Sequence, residues 1–275
     1  MKFGMIIGMS AQTDILQKMQ ELKEIGMSTC QLSIWDTATY TDEIADKVLA
    51  ASAETGIVVS TVWAGWTAPA EWNFIYGPQT LGLVPAAYRG VRLAQLEKAI
   101  PFAKRLGVKN IATHVGFMPE NPSDPDYTGT IGALRHLCRL MKNHDINFLF
   151  ETGQETPVTI LRAIEDIGLD NVGINFDTAN LMLYGKGNPV DALRVFGKYV
   201  KDLHIKDGFF PTDGRHLGKE VAPGEGLANF PVILKMLKEL GYSGPYTIER
   251  EISGPQQKLD VCKTMEMLRE IEKTL

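Results

Sequence analysis

Short apolar segments alternate with longer amphipathic segments along the whole chain. The apolar segments lie at residues 2–8, 28–35, 57–63, 109–115, 147–151, 172–177, 200–205 and 246–250. Each is short, unbroken and rich in apolar and β-branched residues, which is typical of strands that are covered on both faces. The segments between them carry apolar residues at helical spacing, and several begin at Thr, Asn or Pro and end at Gly. The pattern predicts eight strands, each followed by a helix.

Eight such units predict an α/β fold, most simply a single (β/α)8 TIM barrel over residues 1–275, because parallel strands joined by helices need right-handed crossovers. A doubly wound open sheet is the alternative topology. Three connections, at residues 64–90, 116–127 and 207–228, are long and rich in Gly and Pro. All three follow the carboxyl ends of strands, where barrels carry their active sites, so we interpret them as binding loops.

The composition narrows the partners that we expect. The net charge is -5 and no long basic run is present, so we expect neither nucleic acid nor a membrane as a partner. Cys30, Cys138 and Cys262 are scattered without metal-finger spacing, which predicts reduced thiols in a cytoplasmic protein. The apolar segment at residues 2–8 is too short to span a membrane and is interpreted as the first strand.

Four ionisable residues mark the ends of neighbouring predicted strands. Glu151, Asp177 and Glu249 end the fifth, sixth and eighth strands, and His204 reaches the same level on the seventh. Taken singly, each carboxylate could be a solvated loop residue or a helix cap, and His204 could be a core residue. Together, three carboxylates at one barrel mouth repel one another unless protons or a cation compensate. The set predicts a site for one divalent metal ion, Mn²⁺ first, with Mg²⁺, Co²⁺ or Zn²⁺ as alternatives.

The segments that hold these residues resemble a known family. FETG, NFDTANLMLYG, VKDLHIKD, APGEG and YTIERE are similar to the sugar phosphate isomerase/epimerase group of the xylose isomerase-like barrels. That group includes D-tagatose 3-epimerase, hydroxypyruvate isomerase, inosose dehydratase and, more distantly, endonuclease IV. The resemblance covers nearly the whole chain. It implies a homodimer or homotetramer, and it implies these metal ligands, of which the two glutamates are also the acid/base pair: Glu151, Asp177, His204 and Glu249.

A metal ion flanked by two carboxylates suits proton transfer beside a ketose carbonyl. The cation polarises the carbonyl and stabilises an enediolate, while Glu151 and Glu249 remove and return the proton on opposite faces. The expected function is therefore metal-dependent isomerisation or epimerisation of a sugar, most simply ketose 3-epimerisation, with either glutamate as the base. Dehydration of a keto-polyol, or elimination from a 3-keto-glycoside, begins with the same proton abstraction and is the main alternative.

Further residues at strand ends or in the long loops are expected to bind the sugar, through polar groups or aromatic rings. They are His114, Trp35, Trp63, Trp66, Asn180, Lys206, Arg215 and His216. The alternatives are that Lys206 pairs with Asp207, that Arg215 and His216 are merely solvated, and that the aromatic residues belong to the core. His136 and His144 are not expected to take part in the chemistry.

Two other classes of protein are less favoured. An endonuclease-like phosphodiesterase needs several more histidine ligands for three zinc ions, whereas the chain has five histidines and carries Asn180 three positions after Asp177. A non-catalytic sugar-binding barrel would not need two glutamates at the site. The glycine-rich segment APGEGLANF contains a Glu and no adjacent basic residue, so it is a poor phosphate site. We therefore expect a ketose without a phosphate group.

Overall fold

The computed structural model describes residues 1–275 and contains a closed barrel of eight parallel strands. The barrel strands are β1 (Phe3–Met9), β2 (Thr29–Ile34), β3 (Val58–Ala64), β4 (Asn110–Thr113), β5 (Asn147–Glu151), β6 (Val172–Asp177), β7 (Val200–Ile205) and β10 (Tyr246–Ile248), and two further short strands are β8 (Asp207–Gly208) and β9 (Glu220–Val221). Strands β1 to β7 lie side by side in chain order, and β10 closes the barrel between β7 and β1. Strands β8 and β9 form a separate antiparallel pair. The predicted (β/α)8 barrel is confirmed, and the doubly wound alternative is wrong.

The helices cover the outside of the barrel or lie in its loops. They are α1 (Ile15–Glu24), α2 (Asp42–Thr55), α3 (Gly77–Thr80), α4 (Ala86–Glu97), α5 (Ala99–Leu106), α6 (Pro125–Lys142), α7 (Pro157–Ile167), α8 (Asn180–Leu183), α9 (Pro189–Phe196), α10 (Phe230–Glu239) and α11 (Pro255–Lys273). Helix α7 shows the expected boundaries, because Thr156 accepts a hydrogen bond from the N–H of Thr159 and Gly168 ends the helix with a φ of 68°. None of the helices combines the length and the apolar character needed to cross a bilayer.

The structure departs from the predicted boundaries in three places. The amphipathic segment at residues 91–107 is divided between α4 and α5, because Pro101 has no N–H to donate to the carbonyl of Glu97. The loop predicted at residues 64–90 contains α3 and the start of α4. The last barrel strand ends at Ile248, so Glu249 follows the strand directly and is not part of it.

The hydrophobic core forms one large cluster between the barrel and its helices. This cluster contains 61 buried residues, and it accounts for the continuously apolar character of the strands. A smaller cluster lies beside the carboxyl ends of β3 and β4 and contains Trp63, Trp66, Leu81, Ala112 and Leu149. The smaller cluster attaches the long loop after β3 to the mouth of the barrel.

A buried carboxylate, Asp207, organises the long loop after β7. It accepts hydrogen bonds of 2.8–2.9 Å from the backbone N–H groups of Gly208, Gly224, Gly226 and Ala228. A side chain at Gly226 would place its Cβ 2.2 Å from Oδ1 of Asp207, so this approach requires glycine. Because these N–H groups already bind an internal carboxylate, the glycine-rich segment does not offer them to a phosphate.

Candidate metal and catalytic site

The strand register brings four ionisable side chains to one end of the barrel. Asp177 on β6 pairs with His204 on β7, and Glu151 is the last residue of β5. The N–H of Glu249 donates to the carbonyl of Ile205, which continues the pairing of β10 with β7. The four side chains each present a potential ligand atom, and these atoms all lie within 4.8 Å of one another. The structure therefore brings the four predicted metal ligands together.

The imidazole of His204 is the centre of this group. Its Nδ1 lies 3.2 Å from Oε1 of Glu151, 3.2 Å from Oε2 of Glu249 and 3.8 Å from Oδ2 of Asp177. The Nδ1 atom, Oδ2 of Asp177 and Oε2 of Glu249 are buried and make no hydrogen bond. Buried polar atoms without a partner are rare in folded proteins and call for a ligand, water or ion. Here three of them converge on one point.

The other nitrogen of His204 is held from within the barrel. Its Nε2 lies 2.9 Å from Oε1 of Gln31 on β2 and 3.0 Å from Nδ2 of Asn175 on β6. We assign the Nε2 proton to the hydrogen bond with Gln31, which leaves Nδ1 directed at the carboxylates. Metal-binding histidines usually donate their second N–H in this way. Register shifts lie directly before Gln31 and Asn175, and such irregularities often redirect side chains near active sites.

The buried charges shift one another's pKa. Burial raises the pKa of Glu151, but the charges on His114 and His204 outweigh burial and hold it well below its usual range. Burial lowers the pKa of His204, but Glu151 and Glu249 outweigh it and hold the pKa well above its usual range. At Asp177 burial dominates and raises the pKa to about 6. A proton on His204 thus compensates the carboxylates, and a divalent cation at the same point would compensate more of their charge.

These observations fit a divalent metal ion. The donor set consists of three carboxylates and one imidazole, three of its atoms make no hydrogen bond, and Gln31 orients the imidazole. Oxygen-rich sets of this kind suit Mg²⁺ or Mn²⁺, and the imidazole also admits Zn²⁺ or Co²⁺. The cluster can therefore hold a metal ion, and its donors admit several metals.

Two predicted residues, Trp63 and His114, lie against Glu151. The indole N–H of Trp63 donates to Oε2 of Glu151, and Nε2 of His114 lies 3.4 Å from Oε1. Burial lowers the pKa of His114, but the negative charge on Glu151 outweighs burial and raises the pKa above its usual value. Both residues therefore orient the Glu151 carboxylate, and the charge on Glu151 favours the protonated form of His114.

Lys206 is a buried cation beside Glu249. Its Nζ lies 2.7 Å from Oε1 of Glu251 and 3.3 Å from Oε2 of Glu249, and it donates to Oδ1 of Asn180 at 3.2 Å. Burial lowers the pKa of Lys206, but the carboxylates around it outweigh burial and hold the pKa well above its usual range. The alternative pairing with Asp207 does not form, because the carboxylate of Asp207 binds backbone N–H groups.

The cluster opens into a cavity of about 440 Å³. Six residues that were predicted to belong to the site line this cavity: Trp35, Trp63, His114, Glu151, Asn180 and Glu249. Trp66 was also predicted to contact the sugar, but it is buried and packs behind Trp63 with a ring-centroid distance of 6.3 Å. The cavity is thus lined by two of the four predicted ligands, Glu151 and Glu249, and by aromatic rings.

Arg215 and His216 lie outside the cavity, contrary to the prediction that they contact substrate. Asp213 accepts hydrogen bonds from the backbone N–H groups of both residues, and Nδ1 of His216 lies 3.0 Å from Oδ2 of Asp213. This turn holds both side chains in solvent, and the next residue, Leu217, lines the cavity instead. His136 pairs with Glu97 on the surface at 3.1 Å.

Sequence reasoning missed several residues of the site. Alternation along β6 contained a signal for Asn175, because residues two apart on a strand face the same side, and Asp177 faces the site. Gln31 is a large polar residue between Cys30 and Leu32 in the middle of a strand, which is also a usable signal. Three further lining residues lie in regular elements, namely Ile6 on β1, Ser33 on β2 and Leu183 at the end of α8. The others come from loops and carry no comparable pattern; they are Trp72, Tyr184, Leu217 and Glu251.

The chain belongs to the xylose isomerase-like TIM barrel family, whose family model matches residues 19–271. The resemblance drawn from the sequence motifs is confirmed at this level. A xylose isomerase domain protein from Planctomyces limnophilus has a crystal structure that matches with a TM-score of 0.91 and 34% identity. That match covers 99% of this chain and 97% of that chain.

Two further relatives differ in the reaction for which they are named. The structure of a D-tagatose 3-epimerase-like protein matches with a TM-score of 0.74 and 21% identity over 100% of this chain and 98% of that chain, which shows a shared fold. An inosose dehydratase of Lacticaseibacillus casei is 30% identical over 115 residues, which cover 36% of this chain and 37% of the relative. The chain aligns with 37–60% of the length of the curated relatives that it matches.

Proposed function

We propose that the protein is a metal-dependent sugar isomerase or epimerase, most simply a ketose 3-epimerase. The observation that carries this proposal is the position of Glu151 and Glu249. Both carboxylates lie 3.2 Å from Nδ1 of His204 and both line the same cavity, yet they come from strands on either side of His204. A substrate carbon between them is within reach of one carboxylate on each face.

Both glutamates are ionised at neutral pH and can accept a proton. Burial raises the pKa of Glu249, but Lys206 and His204 outweigh burial and lower the pKa to about 2. The pKa of Glu151 is likewise held well below its usual range by His114 and His204, which outweigh burial. One carboxylate takes the proton from the carbon next to the substrate carbonyl. A proton from solvent, relayed through the second carboxylate, then adds to the opposite face, and the first carboxylate releases its proton to solvent. The result is inversion at that carbon.

The proposed metal ligands are Glu151, Asp177, His204 and Glu249. A divalent cation held there supplies Lewis-acid stabilisation for the negative charge that develops on the substrate oxygens. The chain's own residues position the reacting groups: Trp63 and His114 fix Glu151, Lys206 fixes Glu249, and Gln31 fixes His204. Trp35 and Trp63 line the cavity with aromatic surface that suits the apolar face of a sugar ring.

Dehydration or elimination is the second candidate, and His114 favours it specifically. Loss of a hydroxyl or alkoxyl group after proton abstraction requires a proton donor near the departing oxygen. His114 lines the cavity, lies 3.4 Å from Glu151 and has a raised pKa because Glu151 outweighs its burial. The same site therefore contains a base and an acid for elimination from a keto-polyol or a 3-keto-glycoside.

Deuterium exchange tests both candidates. Protein loaded with Mn²⁺ is incubated in D₂O with a panel of ketoses, and NMR follows the carbon beside the carbonyl. Deuterium at an inverted centre supports epimerisation, and deuterium together with a dehydrated or cleaved product supports elimination. Absence of exchange with every ketose and keto-glycoside in the panel would contradict a proton-transfer function.

Metal binding is expected to raise thermal stability through Asp177. A ligand that binds only the folded state stabilises it by about 2.7 kcal/mol at one hundred times its Kd. Mn²⁺ should therefore raise the midpoint of thermal unfolding for the wild type and much less for Asp177→Asn. This variant loses a charged ligand but retains a side-chain oxygen for the hydrogen bonds from the N–H groups of Ala179 and Asn180. The matched control, Asp213→Asn on the exposed loop, should respond as the wild type does. Equal shifts in wild type and Asp177→Asn would contradict the proposed ligand set.

A further inference from the structure

The four tryptophans of the chain form one cluster at the mouth of the barrel, which we call the indole cluster: Trp35, Trp63, Trp66 and Trp72. Neighbouring rings in the indole cluster have centroid distances of 5.0–6.4 Å. Trp63 and Trp66 are 5% and 2% exposed, whereas Trp35 and Trp72 are each 39% exposed. The indole cluster thus has a buried base and an exposed rim.

The base and the rim belong to one continuous wall of the catalytic cavity. Trp63 donates to Glu151, which places it beside the reacting groups. Trp72 contacts His114 with a ring-centroid distance of 5.2 Å, and Trp35 contacts Trp63 at 5.0 Å. Trp35 and Trp72 line the same cavity as the two glutamates. Aromatic surface therefore extends from the proposed acid/base group outward to solvent.

The rim is held in place from behind. A Cβ at Gly65 would lie 2.6 Å from two ring carbons of Trp35, so the backbone of Gly65 packs directly against that ring. Arg92 is buried, lies 5.3 Å from the ring centre of Trp66, and donates to the carbonyls of Pro69 and Gly82 at 2.6 and 2.7 Å. These contacts fix both ends of the loop that carries Trp72. A rigid, exposed aromatic surface is preorganised for binding, because little ordering is needed when a ligand arrives.

The size and chemistry of the outer cavity indicate what it binds. A volume of about 440 Å³ lies in the range of pockets for drug-sized ligands, about 300–1,000 Å³, and its lining extends from Glu151 and Glu249 to the exposed rings of Trp35 and Trp72. Leu183, Tyr184 and Leu217 also line the cavity, and Glu251 is the charged residue beyond the metal cluster, already paired with Lys206. The outer part therefore suits an uncharged ring with an apolar face, and it disfavours a phosphate or another anion.

We propose that Trp35 and Trp72 form a second subsite, which binds an uncharged ring attached through a glycosidic bond to the sugar that reacts at Glu151 and Glu249. The substrate is then a keto-sugar glycoside instead of a free monosaccharide. This inference rests on the proposed function for the position of the reacting sugar, and it adds the class of substrate.

Calorimetry with unreactive glycosides tests the subsite without any chemical turnover. The probes are glycosides of glucose that differ in the attached group. They are methyl glucopyranoside and phenyl glucopyranoside, each as both anomers, and cellobiose, in which the attached group is a second glucose ring. Each is titrated into Mn²⁺-loaded protein. We expect phenyl glucopyranoside and cellobiose to bind at least tenfold more tightly than methyl glucopyranoside. Trp35→Ala and Trp72→Ala should lose this difference. Tyr76→Ala, which removes an exposed aromatic ring from the same loop but outside the cavity, should retain it.

Indole N–H resonances provide a second measurement that does not depend on the stability of the alanine variants. In ¹⁵N-labelled wild type, assigned with four Trp→Phe variants, the resonances of Trp35 and Trp72 should shift with phenyl glucopyranoside and cellobiose but not with methyl glucopyranoside. Equal affinity for all probes, with no shift at the rim, would overturn the subsite. A different outcome would overturn the proposed proton transfer but leave the subsite supported. In that outcome phenyl glucopyranoside and cellobiose bind at Trp35 and Trp72, but no ketose or keto-glycoside exchanges deuterium.

Discussion

Replacing Glu249 with glutamine is expected to reduce deuterium exchange beside the substrate carbonyl by about 10²–10⁴-fold, the usual contribution of a positioned acid or base. The amide has nearly the shape of the carboxylate but cannot accept a proton. It also removes the negative charge that faces His204 and Lys206 at 3.2 and 3.3 Å. Glu151→Gln is expected to cause a loss of the same order, since the second carboxylate serves the opposite face.

Glu249→Gln can lower deuterium exchange in two ways, because Glu249 is both a proposed base and a proposed metal ligand. The loss of the base must therefore be distinguished from weaker metal binding. Exchange is therefore measured by NMR over a range of Mn²⁺ concentrations up to saturation, which the thermal-unfolding midpoint reports. Glu225→Gln, an exposed carboxylate in the loop after β9, is the matched control and should exchange at the wild-type rate. Full exchange by Glu249→Gln at saturating metal would show that this carboxylate neither accepts nor donates the proton.

Glu155→Gln is expected to stabilise the protein relative to wild type, and increasingly so as the pH rises. Glu155 lies in the loop after β5, is 1% exposed, and neither of its carboxylate oxygens has a hydrogen-bond partner. Burial raises its pKa to about 8, and the charges on His114 and Lys186 offset only part of that shift. The folded protein therefore holds a proton on Glu155 that the unfolded chain releases near pH 4.5.

The sign of the effect follows from this difference in bound protons. Between pH 4.5 and pH 8 the folded state binds more protons at Glu155 than the unfolded state, so the free energy of unfolding falls as the pH rises. Above pH 8 both states are ionised and the loss is complete. Glutamine has no proton to lose, so the stability difference between Glu155→Gln and wild type should grow from pH 5 to pH 8 by on the order of 4 kcal/mol.

Urea unfolding at pH 5, 6.5 and 8 and at constant ionic strength measures this difference. Glu165→Gln on the exposed surface of α7 is the matched control and should differ from wild type by less than about 0.5 kcal/mol at every pH. A difference between Glu155→Gln and wild type that does not change with pH would contradict a protonated Glu155 in the folded protein.

The barrel and its four central side chains could be predicted because they depend on strand position alone. Glu151, Asp177 and His204 lie within strands or at their ends, and parallel strands in a closed barrel bring such positions to one mouth. Continuous apolar segments located those strands to within a few residues. The position of Glu249 could be predicted in the same way, because it is the first charged residue after the last barrel strand.

The residues that line the walls of the cavity were harder to predict, because the conformations of the loops determine which side chains reach it. Trp72 and Tyr184 enter the cavity through contacts made by loops of irregular structure, whereas Trp66 turns behind Trp63. Arg215 and His216 have suitable chemistry, but the hydrogen bonds of Asp213 direct them to solvent. No periodic pattern distinguishes these outcomes, since each depends on side-chain hydrogen bonds and packing specific to the folded loop.

The hydrogen bond between Gln31 and His204 joins residues 173 positions apart in the sequence. The imidazole that faces the carboxylates is thus oriented by the second strand of the chain, on the far side of the barrel from its own. A fragment without its first two strands would contain all four ligand residues and still lack the support that aims one of them. High-affinity binding of the metal ion should therefore be the last event in folding. The rate at which the bound ion exchanges with free ion should then report whether the whole barrel is intact.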